Sequence, residues 1–418
     1  MNKQGLHRRK ASVESGDTDD TDQAAPAITK KGKATWADIL PYFNFVPYFV
    51  LLFYSWYFWN HSILIVLFLI YFIVPLVDAA LPCDDYNLKN SQVKEFEKDN
   101  RFLIPLYLYW FLDFLTYFWG IYVFSFGQFN GISDQITLIL VTGHVGGIAL
   151  TIGHEQLHRK QTIHKICGTL VYSKGFYSHF FIEHIKGHHK HVATPKDPAT
   201  AKFGESLYSF VLRSFIGSYK SVWDYETNRL ANKRVPEGSL SLNNRMISFN
   251  IAHVVWAVLI TYLCGARGLF FVLVYGGLVI FFQETINYIE HYGLERKKDE
   301  NGIYESVNIM HSWNSSRRYS NYILFKLQRH SDHHANAYKP YQILNTFSDS
   351  PTLTGGYSLA VITSLVPSVF KTIYDPIVIA ARKEMSLSSE QKAHLEKLNY
   401  LYLTAVGTIL GGLTLMIG

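Results

Sequence analysis

The sequence predicts an all-α integral membrane protein with six transmembrane helices and a cytosolic, histidine-rich helical cap. Three observations lead there. Hydrophobic residues fill 48% of the 418 positions, with 29 Phe, 28 Tyr and 8 Trp, while charged residues fill 17%, below the roughly 25% usual in soluble domains. The apolar residues gather into runs of about 20, long enough to cross a hydrocarbon core as a helix. Clusters of histidine stand beside the ends of those runs, on one side.

Taken in order, residues 1–35 are polar and include ESGDTDDTD. They read as a disordered cytosolic tail, being neither a signal peptide nor an acidic-poor transit peptide. Residues 36–81 hold two spans joined by a tight turn at Asn60-His61. The runs 103–126, 134–153, 246–265 and 268–288 supply four more. Lipid offers backbone groups no hydrogen-bond partner, so runs of this length are expected to be helical. A membrane domain over 36–380 is followed by a C-terminal extension, 381–418. Its apolar stretch 399–418 contains Gly407, Gly411 and Gly412, which permit close helix packing. A seventh span, a membrane-surface hairpin and an oligomer contact all stay open for it.

Orientation follows from Lys and Arg in the loops. The loops near residue 60, at 127–133 and at 266–267 hold one basic residue, Arg267. The opposite side carries the segment 154–245, with 14 Lys/Arg against 7 Asp/Glu. That side is expected to face the cytosol, and the net charge of +6 suits an anionic membrane surface. No nucleic-acid module is visible. Cys83, Cys167 and Cys264 form no C-x-x-C pair, which argues against a disulfide framework and against a fused iron–sulfur or rubredoxin module.

Polar residues inside the spans need a reason. Asp113 lies within the third run, where an ionisable group is costly; it faces a cavity or pairs with a neighbouring helix. Asp78 sits at the cytosolic end of the second span and requires no special role. Trp56, Trp59, Phe68, Phe72 and Trp110 line a channel or serve as lipid-facing bulk and interface anchors.

Of 18 histidines, nine fall into four clusters on the expected cytosolic side: His154 and His158, then His184, His188 and His189, then His291, then His330, His333 and His334. Residues i and i+4 share a helix face, so 154/158, 184/188 and 330/334 can each aim two imidazoles at one point. His7, His61, His164 and His394 read as surface or capping residues, and His144, His179, His191, His253 and His311 stay ambiguous.

The string HEQLH, residues 154–158, matches the H-E-x-x-H signature of zinc metalloproteases. A catalytic zinc takes three protein ligands and keeps one position for water. That would leave six of the clustered histidines unused. Nine nitrogens instead suit two metals with four or five protein ligands each. Imidazole alone does not choose iron over zinc or copper.

The strings IEHIKGHH from Ile182, NYIEHYGL from Asn287, HSWNS from His311 and LQRHSDHH from Leu327 resemble the integral-membrane alkane hydroxylases, the alkane 1-monooxygenase group of the membrane desaturase and hydroxylase superfamily. The likeness spans about residues 36–380. Two positions depart from the family pattern. The first box has Gln156 and Leu157 where the family has H-E-L-G-H-K, and Ile185 replaces an Asn in the second, with His191 following its histidine pair. All nine histidines are present.

The resemblance implies a non-haem di-iron monooxygenase, with two Fe ions and O2 as co-substrate, that converts a terminal methyl group to a primary alcohol. It implies the nine histidines as metal ligands. Glu155, Glu183, Glu290, Asp332 and Asp197 are candidates to hold the imidazoles from behind, at the nitrogen not bound to metal; for Asp197 a solvated surface charge is the competing reading. The alkyl substrate would enter sideways from the bilayer. Electrons would come from a separate protein, rubredoxin with its reductase by family likeness, with a ferredoxin or cytochrome equally compatible. An endoplasmic-reticulum or bacterial inner membrane fits. A fatty-acyl desaturase or hydroxylase is the alternative in chemistry. A structural subunit of a larger membrane complex is the alternative outside enzymes.

Overall fold

The computed structural model describes residues 32–234 and 241–417; most of the expected tail, His7 included, lies outside the described residues. In chain order the helices are α1 (Trp36–Phe58), α2 (Leu64–Ala80), α3 (Asn90–Lys98), α4 (Asn100–Phe126), α5 (Ile132–His158), α6 (Thr162–Lys174) and α7 (residues 180–191). They continue as α8 (Leu207–Asn232), α9 (Arg245–His291), α10 (Arg318–Ile323), α11 (His330–Ala335), α12 (Gly356–Ser364), α13 (Pro367–Arg382) and α14 (Ser389–Ile417). Among the described residues no strand forms, and only isolated bridges such as Lys298 with Tyr304 occur.

Five helices are long and apolar enough to cross a membrane: α1, α4, α5, α9 and α14. The count differs from six for identifiable reasons. α2 is apolar but spans only Leu64–Ala80, and its middle is a π turn at Leu69–Ile73 just ahead of Pro75. The proline has no N–H and crowds the carbonyl one turn back, so the ladder widens there. The two runs expected at 246–265 and 268–288 both lie in the 47-residue α9, which breaks at Gly265 (φ 68°, ψ −168°). That conformation belongs to glycine. Trp256 and Tyr275, on either side of the break, both reach Tyr117, so the two arms lie side by side as a hairpin.

The Asn60-His61 turn forms where expected, with both residues at positive φ. His61 stacks on Trp56 with centroids 4.0 Å apart and meets Asp134 at 2.7 Å, tying the α1–α2 turn to the start of α5. Small residues then bring α5 onto α9. A Cβ at Gly143 would lie 2.7 Å from Leu278, one at Gly147 would lie 2.7 Å from Phe282, and one at Gly146 would collide with the Tyr275 hydroxyl. This is close backbone approach of the kind that drives helix association in lipid.

Asp113 is buried and pairs with Lys174 of α6, whose ammonium also sits over the Phe114 ring. The residue therefore joins two helices, as the pairing alternative has it. Asp78 has a role after all: its carboxylate accepts from the Tyr319 and Ser320 amides at 2.7 and 3.2 Å, capping α10. α14 packs along α2, with Gly407 against Phe72 and Gly411 against Phe68. Phe68 and Phe72 are thus packing partners of the tail. Trp56 is buried in the α1–α4 contact, Trp59 is exposed, and Trp110 donates to the Cys167 carbonyl at 3.1 Å.

Candidate metal centre

The nine clustered histidines converge in two groups. His154, His158, His184, His189 and His333 form one and His188, His291, His330 and His334 the other. Within each group the ligand nitrogens lie within 4.8 Å of one another. Their carriers are the end of α5, the end of α9, and the two short helices α7 and α11.

Helical spacing explains part of this division. His154 and His158 share a face of α5, and His330 and His334 share a face of α11, with their Nε2 atoms 3.0 Å apart. The expected 184/188 pairing does not occur. Residues Glu183–His188 form a π turn, whose angular step differs from that of an α-helix. His184 meets His189 at 3.0 Å, and His188 turns to the other group. The turn also needs Gly187, because a Cβ there would run into the Glu183 carboxylate.

The chemistry of the donors points to a cation. His184 Nε2 lies 2.8 Å from His154 Nε2, 2.9 Å from His158 Nε2 and 3.0 Å from His189 Nε2. A neutral imidazole carries a single N–H, so hydrogens cannot satisfy such a cluster, whereas one central ion accepts every lone pair. Burial first, and neighbouring histidines second, hold His184, His189, His330, His333 and His334 well below the ordinary imidazole range. These rings are neutral and ready to ligate. Each group could hold a metal ion.

The nitrogens behind the ligands are less uniformly served than the sequence suggests. Asp197 accepts from His188 Nδ1 at 2.8 Å and is 2% exposed, which removes the surface-charge reading. The His311 carbonyl stands 3.3 Å from His291 Nδ1. The Nδ1 atoms of His184, His189, His330 and His334 are buried with no protein partner among the described residues.

The other carboxylates do not back a histidine. Glu155 pairs with Arg159 at 2.8 Å, one turn along α5. Asp332 holds Lys339 at 2.9 Å and the Asn345 amide at 2.7 Å, so it fixes the chain that follows α11. Glu183 is buried with Oε1 unpartnered, and burial pushes its carboxyl up to about 7. Glu290 approaches from the metal side instead: Oε2 is 3.3 Å from His330 Nε2, and Oε1 accepts from the Tyr357 hydroxyl at 3.2 Å.

Tyr357 and the Tyr177–Glu284 pair are residues that sequence reasoning missed. Glu284 is fully buried and accepts from Tyr177. It lies seven residues before His291, on the same helix face, a usable signal; Tyr357 carried none. The ambiguous histidines stay outside both groups. His144 meets Tyr71 at 3.0 Å and His253 meets Ser178 at 2.8 Å. His164, expected at the surface, is 6% exposed and bonded to Tyr107 at 2.7 Å.

Two spaces adjoin α5, and the second is lined by histidines of both groups. An apolar crevice is lined by Phe45, Tyr48, Phe49, Ile70, Tyr109 and Val145. A narrow passage beside the histidines is lined by Leu150, Thr151, His154, Gln283, Glu290 and His330. Both run along α5. The aromatics that line the crevice are therefore Phe45, Tyr48, Phe49 and Tyr109, and none of the five named from the sequence.

Residues 135–350 match the family model described as fatty acid desaturase. Narrower relatives cover most of the chain. Alkane 1-monooxygenase 1 of Alcanivorax borkumensis is 40% identical over 75% of this chain and 77% of its own length. Alkane 1-monooxygenase 1 of Pseudomonas aeruginosa is 36% identical over 66% of this chain and 72% of its own. Alkane 1-monooxygenase of Pseudomonas putida is 35% identical over 74% and 76%. The chain belongs to the fatty acid desaturase family of membrane oxidoreductases and, within it, to the alkane 1-monooxygenase group.

Proposed function

We propose that this protein is a membrane-bound di-iron monooxygenase that inserts one oxygen atom of O2 into the terminal methyl C–H of an alkane or alkyl chain, giving a primary alcohol. The observation that carries the reading is the convergence of nine imidazoles in two adjoining groups, with a passage lined by His154, His184 and His330 and an apolar crevice along α5. The relatives named alkane 1-monooxygenase support the substrate class. R–CH3, O2, two protons and two electrons give R–CH2OH and water.

His154, His158, His184, His189 and His333 would hold one iron, and His188, His291, His330 and His334 the other. The two irons supply the O2 chemistry. The chain's own residues do the rest. Burial of the site keeps water out. Asp197 fixes the tautomer and orientation of His188. The crevice takes the alkyl chain from the bilayer, and Val145 to His154 of α5 lead its end toward the first group. Tyr357 holds the Glu290 carboxylate at the edge of the second.

The loop charges support a cytosolic cap over six crossings: α1, α2, α4, α5 and the two arms of α9. Contact of α14 with α2 supports a seventh crossing. An endoplasmic-reticulum or bacterial inner membrane fits. The electron donor is a separate protein, rubredoxin-like or a ferredoxin or cytochrome, with its reductase. A fatty-acyl desaturase or hydroxylase is the second reading, favoured by the description of the matching family model.

The test is to purify the protein, measure iron and zinc per chain, and supply reduced donor, O2 and an alkane series. Iron in both groups and 1-alkanol products are expected. His188→Ala or His333→Ala should abolish iron retention or turnover. One zinc per chain, or wild-type turnover in either variant, would sink the reading, and turnover on acyl chains alone would move it to the second.

A further inference from the structure

The chain from 186 to 202 sorts its charges by direction. Lys186, Lys190, Lys196 and Lys202 are exposed, whereas its one carboxylate, Asp197, is buried and turned inward to His188 Nδ1 at 2.8 Å. The surface left behind is basic, and it lies over the four-histidine group.

The same segment forms one wall of a concavity of about 610 Å³, where Pro195, Asp197, Thr200 and Lys202 face Arg296 and Lys298. Arg296 ties the walls together: its amide donates to the Ala193 carbonyl at 2.9 Å and its guanidinium to the Lys190 carbonyl at 3.0 Å. Other charges at the rim are matched. Arg382 pairs with Glu295 at 2.6 Å and Arg213 with Glu205 at 2.7 Å. Arg296 is faced by the Asp197 and Glu305 carboxylates, so Lys202 and Lys298 carry the surplus, extended by Lys190 and Lys196. The wall that bears this surplus also carries Asp197, one hydrogen bond from a ligating imidazole.

We infer that this basic concavity is the docking port for a small acidic one-electron carrier protein, and that its electrons reach the metal group across the Asp197–His188 hydrogen bond. The inference rests on the monooxygenase reading and deepens it by placing the partner. Each encounter oxidises the carrier by one electron and delivers that electron inward; two encounters, with two protons from solvent, account for the oxygen atom released as water. Steering by a surplus of like charge raises encounter rates and makes them salt-dependent.

The experiment uses the full-length, iron-loaded chain in nanodiscs, with a rubredoxin of net negative charge as probe. Binding of the oxidised probe is measured by fluorescence anisotropy, independently of turnover. The rate of oxidation of the reduced probe is measured by stopped flow. The Lys196→Glu/Lys202→Glu variant should bind and react at least about tenfold more weakly at low salt. Its iron content, and its alkanol yield with dithionite as reductant, should match wild type, and added salt should erase the difference.

Unchanged probe binding in the variant would overturn the port. So would an equal loss in Lys392→Glu, elsewhere on the same face. Retained probe binding with a lost preference for anionic over neutral vesicles would assign the lysines to lipid and overturn it too. If dithionite-driven wild type makes no alkanol while the probe still binds at the patch, the monooxygenase reading fails and the port stands. Alkanol formation with a patch-independent probe sinks the port alone.

Discussion

Among the described acidic residues, only Asp197 accepts from the Nδ1 of one of the nine clustered histidines, at 2.8 Å from that of His188. Burial alone would raise its carboxyl, but the His188 imidazole and the Thr200 hydroxyl hold it below the usual range. Asp197→Asn should therefore lower metal affinity by about 10–100-fold, read by competition with a chelator. Asp332→Asn should leave the affinity of the folded protein unchanged and lower its Tm, because Asp332 holds Lys339 and Asn345 instead of a ligand. A smaller effect in the first variant than in the second would contradict this division. The nine histidines were legible as a set because their spacing is dense and local. Their supporting partners were not. Glu155, Asp332 and Asp197 are all carboxylates in or near a histidine box of the sequence. Only the path of the chain decides that Asp197 turns inward while Glu155 meets Arg159.

At the scale of elements, the sequence revealed where helices lie better than how they break. The apolar runs were plain, and so was the Asn60-His61 turn. The π turn of α7 was not, because nothing in EHIKGH distinguishes it from an α-helix by composition; its mark is Gly187 folded against Glu183. The fusion of two runs into α9 was equally hidden, since a single glycine at φ 68° both ends one arm and starts the next. Packing of α5 on α9 depends on Gly143, Gly146 and Gly147. Gly146→Ala places a methyl group into the Tyr275 ring and should cost about 1–3 kcal/mol, measured as a shift in denaturant midpoint in detergent. Gly277→Ala, with open space around the site, is the matched control and should cost less than half as much.

Over the whole molecule, α8 is joined to the α9 hairpin by a charged clasp. Glu226 of α8 meets Arg229 at 2.8 Å and Arg245, the first residue of α9, at 2.6 Å. Burial raises its carboxyl, but the two guanidinium groups outweigh burial and hold it at about 2, against 4.5 unperturbed. A depressed carboxyl stabilises above its unfolded value. The contribution is therefore full above pH 4.5 and fades as pH falls toward 2. Glu226→Gln should lower Tm at pH 7, and the gap to wild type should narrow in that acid window. A gap that widens in acid would refute the clasp. The membrane class was legible because hydropathy acts over tens of residues. The place of α14 beside α2 was not, since a glycine-bearing apolar helix can lie against many surfaces.

One arrangement ties these scales together. His188 and His189 are consecutive, yet they serve different groups, and α11 likewise sends His333 to one group and His330 and His334 to the other. A single peptide unit would thus be common to both coordination spheres. An ion captured by the first group would orient that peptide and the turn of α11, and so remove much of the ordering entropy that the second would otherwise lose. Loading should then be cooperative: half-filled molecules would be disfavoured, and a chelator that strips one ion would loosen the other.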